Sequence, residues 1–295
     1  CGYHGWHDWY LSANHNGGDD LSDHLIPGLS PKGVPKNLKN SVFPFHYNNY
    51  EELVDIVEKN NIGVIKMEVL RNFGPEDNFL QKIRDLATKK NIVLIFDECS
   101  SGFREAFGGI FKKYNVEPDM AMFGKTLGNG YAITAVVGKK SVMEAAQNTF
   151  ISSTFWTERI GPTAALATLK VMEREKSWDK ITATGKKMQK GWLKLAEANN
   201  LDITVSGIPA LTTYTFNNDN AAAYKTLITQ EMLKKGILAS TQFYACTQHT
   251  TKNLDTYFDL LNDIYKKIRK CESEFLDINS LLDGPICHSG FKRLN

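Results

Sequence analysis

Four short apolar runs constrain this chain more than any other feature: residues 62–67, 92–97, 119–123 and 133–137. Each is brief, rich in β-branched or bulky side chains and bounded by turn formers, the pattern of strands buried on both faces. Helical periodicity fills the spaces between the first of them. The stretch from Glu51 to Lys59 places Leu53, Ile56 and Val57 on one side. The stretch from Glu76 to Lys89 does the same with Phe79, Leu80, Ile83, Leu86 and Ala87, after a Gly74-Pro75 start. Strands alternating with helices imply parallel crossovers, so the expected class is α/β.

From Gly161 the pattern changes. Long helices are expected over Pro162 to Lys176 and Lys180 to Asn199, broken near Ser177. Val205 and Leu211 to Phe216 supply strands, and Ala221 to Lys235 a helix ended by Gly236. A last amphipathic helix, Asn253 to Lys270, carries Leu254, Tyr257, Phe258, Leu261, Ile264, Tyr265 and Ile268. The expected division is a large domain over residues 1–160, then an interdomain helix and small C-terminal α+β domain over residues 161–295.

Composition narrows the function classes. The chain has 295 residues, 42% of them hydrophobic, and a chain of this size buries roughly 75% of its unfolded surface without a metal or disulfide staple. Its 35 Lys and Arg against 33 Asp and Glu leave a net charge of +2, with the signs scattered, which argues against nucleic acid as a partner. No apolar stretch approaches the roughly 18 residues that cross a bilayer. The cysteines, Cys1, Cys99, Cys246, Cys271 and Cys287, are odd in number and include no CxxC, so neither a disulfide framework nor a zinc ribbon is expected. A reducing cytoplasm is the expected home.

Two positions carry candidate chemistry. The run Phe96-Asp97-Glu98-Cys99 ends an apolar strand in two acids, and ligands of open parallel sheets sit beyond strand carboxyl ends. Those acids are equally able to cap the next element. The segment Phe123-Gly124-Lys125-Thr126-Leu127-Gly128-Asn129-Gly130 follows another strand, and glycines beside a lysine admit a cofactor close to the backbone. A nucleoside triphosphate loop would need a glycine where Asp119 stands. A solvated loop lysine is the plain alternative. Together, an aspartate and a lysine facing one crevice suit pyridoxal 5'-phosphate, whose aldehyde condenses with an amine and whose ring nitrogen needs an anionic partner.

With these segments the sequence resembles the class III pyridoxal-phosphate-dependent aminotransferases, in particular their glutamate-1-semialdehyde 2,1-aminomutase-like branch. The resemblance rests on Tyr3-His4-Gly5, Met67-Glu68, Leu94-Ile95-Phe96-Asp97-Glu98, Ser101-Gly102-Phe103-Arg104, Pro118-Asp119, Gly124-Lys125, Gly128-Asn129-Gly130 and Ser240-Thr241-Gln242-Phe243. It implies fold-type I, a mainly parallel sheet with helices on both faces plus the smaller C-terminal α+β domain. It also implies amino group transfer between small-molecule donor and acceptor, as aminotransferase or aminomutase, through an internal aldimine on Lys125.

By the same resemblance Asp97 pairs with the ring nitrogen, and Tyr3 stacks on the ring with His4 shaping the turn. Cys99 packs on the opposite face, Ser100 meets the phenolic oxygen, and Glu68 matches the glutamate of a Glu-Pro pair whose proline is Val69 here. Thr154 is matched to a threonine lent to the phosphate of the neighbouring subunit, which implies a homodimer with shared active sites. Gln242 and Phe243 are candidates for the substrate pocket. A glycine- and serine-rich phosphate turn that precedes Tyr-His-Gly in the family is missing, so the chain is expected to lack an N-terminal portion.

Two other classes stay open on sequence. One is a catalytically inactive module that keeps the fold for binding or assembly. The other is a metal hydrolase using His4, His7, His15, His24 or His46, although none of these lies in an HExxH.

Overall fold

The computed structural model describes residues 7–18, 20–21, 29–70, 72, 74–273 and 275–288. Tyr3, His4 and His24 lie outside the described residues. The chain divides into two compact units, one of Cys1–Leu70, Gly74–Val171 and Gly290–Asn295, the other of Arg71–Phe73 and Met172–Ser289.

The first unit opens with a short helix α1 (Asp8–Leu11), followed by α2 (Tyr50–Lys59), β1 (Val64–Glu68), α3 (Phe79–Lys90) and β2 (Val93–Asp97). Then come β3 (Met120–Phe123), β4 (Ala135–Gly138), α4 (Lys140–Met143) and α5 (Ile160–Glu175), which crosses into the second unit. The sheet order is β1-β2-β3-β4, with β1, β2 and β3 parallel. The expected α/β class is therefore present. The sheet is mainly parallel, as expected, with β4 running antiparallel to β3. The connection over residues 124–134 holds only a 3-10 turn, Lys125–Leu127, and a parallel return needs a longer crossover that usually contains a helix.

Helix α3 begins later than the Gly74-Pro75 start suggests. Asp77 and Asn78 both take left-handed φ angles, 46° and 58°, and a chain in that region cannot enter an α-helix until Phe79. From there Phe79, Leu80, Ile83, Leu86 and Ala87 are buried. The strands contribute Met67, Leu94 and Phe96, all at 0% exposure.

One buried acid ties this sheet together. Asp119, just before β3, accepts the Leu94 amide at 2.9 Å from β2, Arg84 Nη1 at 2.9 Å from α3 and Lys139 Nζ at 2.8 Å from beyond β4. Its own amide donates to the Leu94 carbonyl at 2.8 Å, and its carbonyl accepts the Lys139 amide at 2.9 Å. Burial pushes the carboxyl up, but the Leu94 amide, Lys139 and Arg84 outweigh it and hold Asp119 at about 2. The Pro118-Asp119 pair is thus a structural staple.

The second unit contains α6 (Ser177–Ala198), β5 (Ile203–Ser206), β6 (Leu211–Phe216), α7 (Ala221–Lys234), β7 (Gln242–Tyr244) and α8 (Thr251–Glu272). The break between α5 and α6 falls at Lys176, whose φ of 49° ends one helix and starts the next. Strands β5, β6 and β7 form an antiparallel sheet in that order. Their core gathers Trp192, Tyr214, Tyr224, Leu261 and Tyr265, and Trp192 Nε1 donates to the Tyr257 hydroxyl at 2.9 Å. In α6, Gly185 faces the Pro209 carbonyl so closely that an added Cβ would lie 1.8 Å from its oxygen.

Two stability outcomes follow. Asp119→Asn loses about 2–3 kcal/mol in urea unfolding at neutral pH, since its donors lose a charged acceptor. Because the folded carboxyl of Asp119 sits below its unfolded value, its contribution is complete above about pH 4 and disappears as pH falls toward 2. The gap between wild type and Asp119→Asn should close over that interval, and a gap independent of pH contradicts the staple. Gly185→Ala should cost about 3 kcal/mol, read as a lowered Tm, because a backbone carbonyl occupies the space a methyl group needs.

Candidate active site

The parallel register of β1 and β2 sets the floor of the site. Glu68 pairs with Asp97, and side chains at register partners project to the same face, so Lys66, Glu68 and Asp97 share one side of the sheet at its carboxyl end. Asp97 is 6% exposed. Its Oδ2 accepts Lys66 Nζ at 2.7 Å and its Oδ1 accepts the Cys99 amide at 3.1 Å. Burial raises the carboxyl, but the Lys66 hydrogen bond and charge, with the Cys99 donors, outweigh it and leave Asp97 below the usual carboxylate value.

Glu98, the next residue, has the opposite environment. Fully buried, it accepts Ser101 Oγ at 2.5 Å and the Phe111 amide at 3.0 Å, and burial raises its carboxyl. The pair read from sequence as one acidic signal is split. Asp97 sits at the carboxyl end of β2 on the face shared with Lys66 and Glu68, whereas Glu98 anchors the loop that follows.

Lys125 enters from the end of β3. It is exposed, takes a left-handed φ of 41°, and donates from Nζ to Ser100 Oγ at 2.5 Å. A β-carbon-bearing residue at positive φ stores about 1–3 kcal/mol of strain, which the surrounding turn must hold. Ser100 is itself fixed, because its carbonyl accepts Arg104 Nε at 2.6 Å. Arg104 therefore braces the loop.

Cys99 links the two halves. A Cβ on Gly124 would lie 3.5 Å from its Sγ, and both Asp97 and Lys125 act on the thiol electrostatically. Burial first, then the negative charge of Asp97, push it up to about 11, so it is an uncharged wall at neutral pH. Beside Lys125, the buried hydroxyl of Thr126 has no hydrogen-bond partner among the described residues.

The structure thus brings Asp97, Cys99, Ser100 and Lys125 together, with Glu68 buried alongside. Thr154 lies apart on an exposed turn over residues 154–157. In the second unit, Gln242 and Phe243 line a cavity of about 470 Å³ with His249, whose ring is 4.7 Å from that of Phe243. Sequence reasoning missed Lys66. The available signal was a single cation inside an apolar strand, since lysines are seldom buried unpaired. Among the described residues, no three His, Cys, Asp or Glu side chains converge to hold a metal ion. No helix among them is long and apolar enough to cross a membrane.

An ionised carboxylate, a reachable amine and an uncharged thiol between them fit the ring nitrogen, aldehyde and flat face of pyridoxal phosphate. Comparison with known proteins agrees with this geometry. Residues 53–258 match the family model for aminotransferase class III. The chain is similar to a 3-aminobutyryl-CoA aminotransferase from Cloacimonas acidaminovorans, 31% identical over 91% of this chain and 64% of the relative. It is similar to a glutamate-1-semialdehyde 2,1-aminomutase from Nitrosopumilus maritimus, 32% identical over 90% of this chain and 68% of the relative. The chain therefore spans about two thirds of the length of these curated relatives. A solved structure described as a transaminase with PLP bound shares its fold with a TM-score of 0.79, at 19% identity over 92% of this chain and 67% of the other. The chain belongs to the class III aminotransferase family.

Proposed function

We propose that this chain carries the reactive lysine and ring-binding acid of a pyridoxal 5'-phosphate-dependent enzyme that moves an amino group from a small-molecule donor to an acceptor. The observation that carries this reading is that Asp97 and Lys125, at the carboxyl ends of neighbouring parallel strands, both lie close enough to Cys99 to act on its thiol. When bound, the cofactor supplies an electron-withdrawing ring that stabilises negative charge on a substrate carbon that has lost its proton. Lys125 would hold the cofactor through its amine, and the same amine is the group placed to take up and return a proton at the substrate carbon. Ser100 Oγ aims the Lys125 amine, and Arg104 keeps Ser100 in place. Asp97, a buried carboxylate held below its usual value, would hold the ring nitrogen by charge and hydrogen bonding. The uncharged Cys99 side chain covers one ring face without competing for a proton.

The reading extends to a homodimer. Phe150, Ile151, Phe155, Trp156, Ile160 and Leu166 form an exposed apolar stretch around Thr154, and Phe150 is 96% exposed. Apolar surface of this density marks an interface. A second copy of this chain is its proposed cover, with Thr154 offered to the partner's phosphate. Glu68 is assigned to the rim of the site, and Gln242 and Phe243 to recognition of the substrate. A cytoplasmic location is supported by the free thiols of Cys99, Cys246, Cys271 and Cys287.

Borohydride treatment after incubation with pyridoxal phosphate should fix the cofactor to the Lys125 peptide, read by mass spectrometry, with no adduct in Lys125→Ala. Turnover with a panel of amino donors should fall at least about 10³-fold in Lys125→Ala and about 10²-fold in Asp97→Asn. An adduct on another lysine, or undiminished turnover in either variant, removes the proposal. The double variant Phe155→Glu, Trp156→Glu should sediment as a monomer if this stretch is the dimer face; an unchanged dimer places the interface elsewhere.

A further inference from the structure

Asp97 is already engaged by a cation that belongs to the chain itself. Lys66 projects from the centre of β1, two residues before Glu68, and its Nζ lies 2.7 Å from Asp97 Oδ2. The lysine side chain is 18% exposed and the aspartate 9%, so this is an ion pair largely out of water. Lys66 also lines a cavity of about 370 Å³ with Trp9, Phe43, Phe45 and Val57.

The charged groups around the carboxylate come from every strand that packs there. Lys66 and Glu68 belong to β1, Glu98 and Cys99 follow β2, and Lys125 follows β3. Glu98 is occupied by Ser101 and the Phe111 amide, and Lys125 by Ser100. Among these, Lys66 is the cation in direct contact with Asp97.

We propose that Lys66 is a positioning residue that acts through Asp97, its ammonium keeping the carboxylate charged and aimed so that the ring-recognition end of the site exists before any ring arrives. This rests on the cofactor assignment above but is judged separately from it. A buried carboxylate without a counter-ion takes up a proton, and a neutral acid cannot hold a pyridinium by charge. The same proximity has a second consequence. With Lys66 beside it, the carboxylate is half-neutralised, so a ring nitrogen facing Asp97 keeps its proton less tightly than it would opposite a bare anion.

The test is the pH titration of the Asp97 carboxyl carbon by NMR in the cofactor-free chain, assigned with Asp97→Asn. In Lys66→Met the midpoint should move upward, while Lys66→Arg, which keeps the cation, should stay with wild type. If Lys66→Met does not fold, Lys66→Gln gives the same comparison with a polar side chain. A merely structural lysine would lower stability and leave the Asp97 midpoint where it was, and that result overturns the inference. With ¹⁵N-labelled pyridoxal phosphate, the ring nitrogen should stay protonated to higher pH in Lys66→Met than in wild type, and an identical ring titration also counts against it. Failure of every form to take up cofactor would count against the proposed function, leaving the Asp97 titration to decide the role of Lys66.

Discussion

A carboxylate removed from water costs several kcal/mol unless donors replace its hydration, and the large unit is arranged around that constraint. Three acids at strand ends meet it in three ways. Asp119 is surrounded by donors from β2, α3 and the segment after β4, so its charge is spent on holding strands in register. Glu98 is enclosed so completely that burial raises its carboxyl, and its two contacts shape a loop. Asp97 accepts from Lys66 at one oxygen and from the Cys99 amide at the other, and remains charged at the end of a strand. Neighbouring acids whose environments push them apart are the usual mark of divided roles.

The same economy explains the lysines. Lys66 is buried because Asp97 compensates it, and Lys125 is exposed because its turn lifts it away from the sheet. One acts as a fixed charge and the other as a reachable amine. Ser100 and Arg104 form a short chain of contacts behind Lys125, so the strained backbone at that residue is braced from the loop that Glu98 anchors. The ordered motif Asp97-Glu98 through Arg104 is thus mostly scaffold, with Glu98, Ser101 and Arg104 occupied by contacts within the loop.

Much of this was legible in the chain. The strands read from residues 62–67, 92–97 and 119–123 appear as β1, β2 and β3 within one or two residues, because short apolar runs between amphipathic helices have few other solutions. The direction of β4 was not legible from its own composition; it depends on residues 124–134 being too short and too irregular for a crossover helix. Strand β7 has three residues, too few for alternation to register. The start of α3 was misplaced because Asp77 and Asn78 adopt backbone angles that no hydrophobic pattern reports. At the site, Asp97 and Lys125 stood out because each ends a strand. Lys66 did not, since a lone lysine in a strand reads as an edge side chain until the register places it opposite an acid.

The most direct measurement is a crystal structure of the chain with pyridoxal phosphate bound. The account predicts Asp97 within roughly 2.6–3.2 Å of the ring nitrogen, Lys66 still against the same carboxylate, and the Lys125 nitrogen joined to the cofactor carbon that carried the aldehyde. A ring bound with its nitrogen away from Asp97, or with Lys125 turned to a different surface, would contradict it.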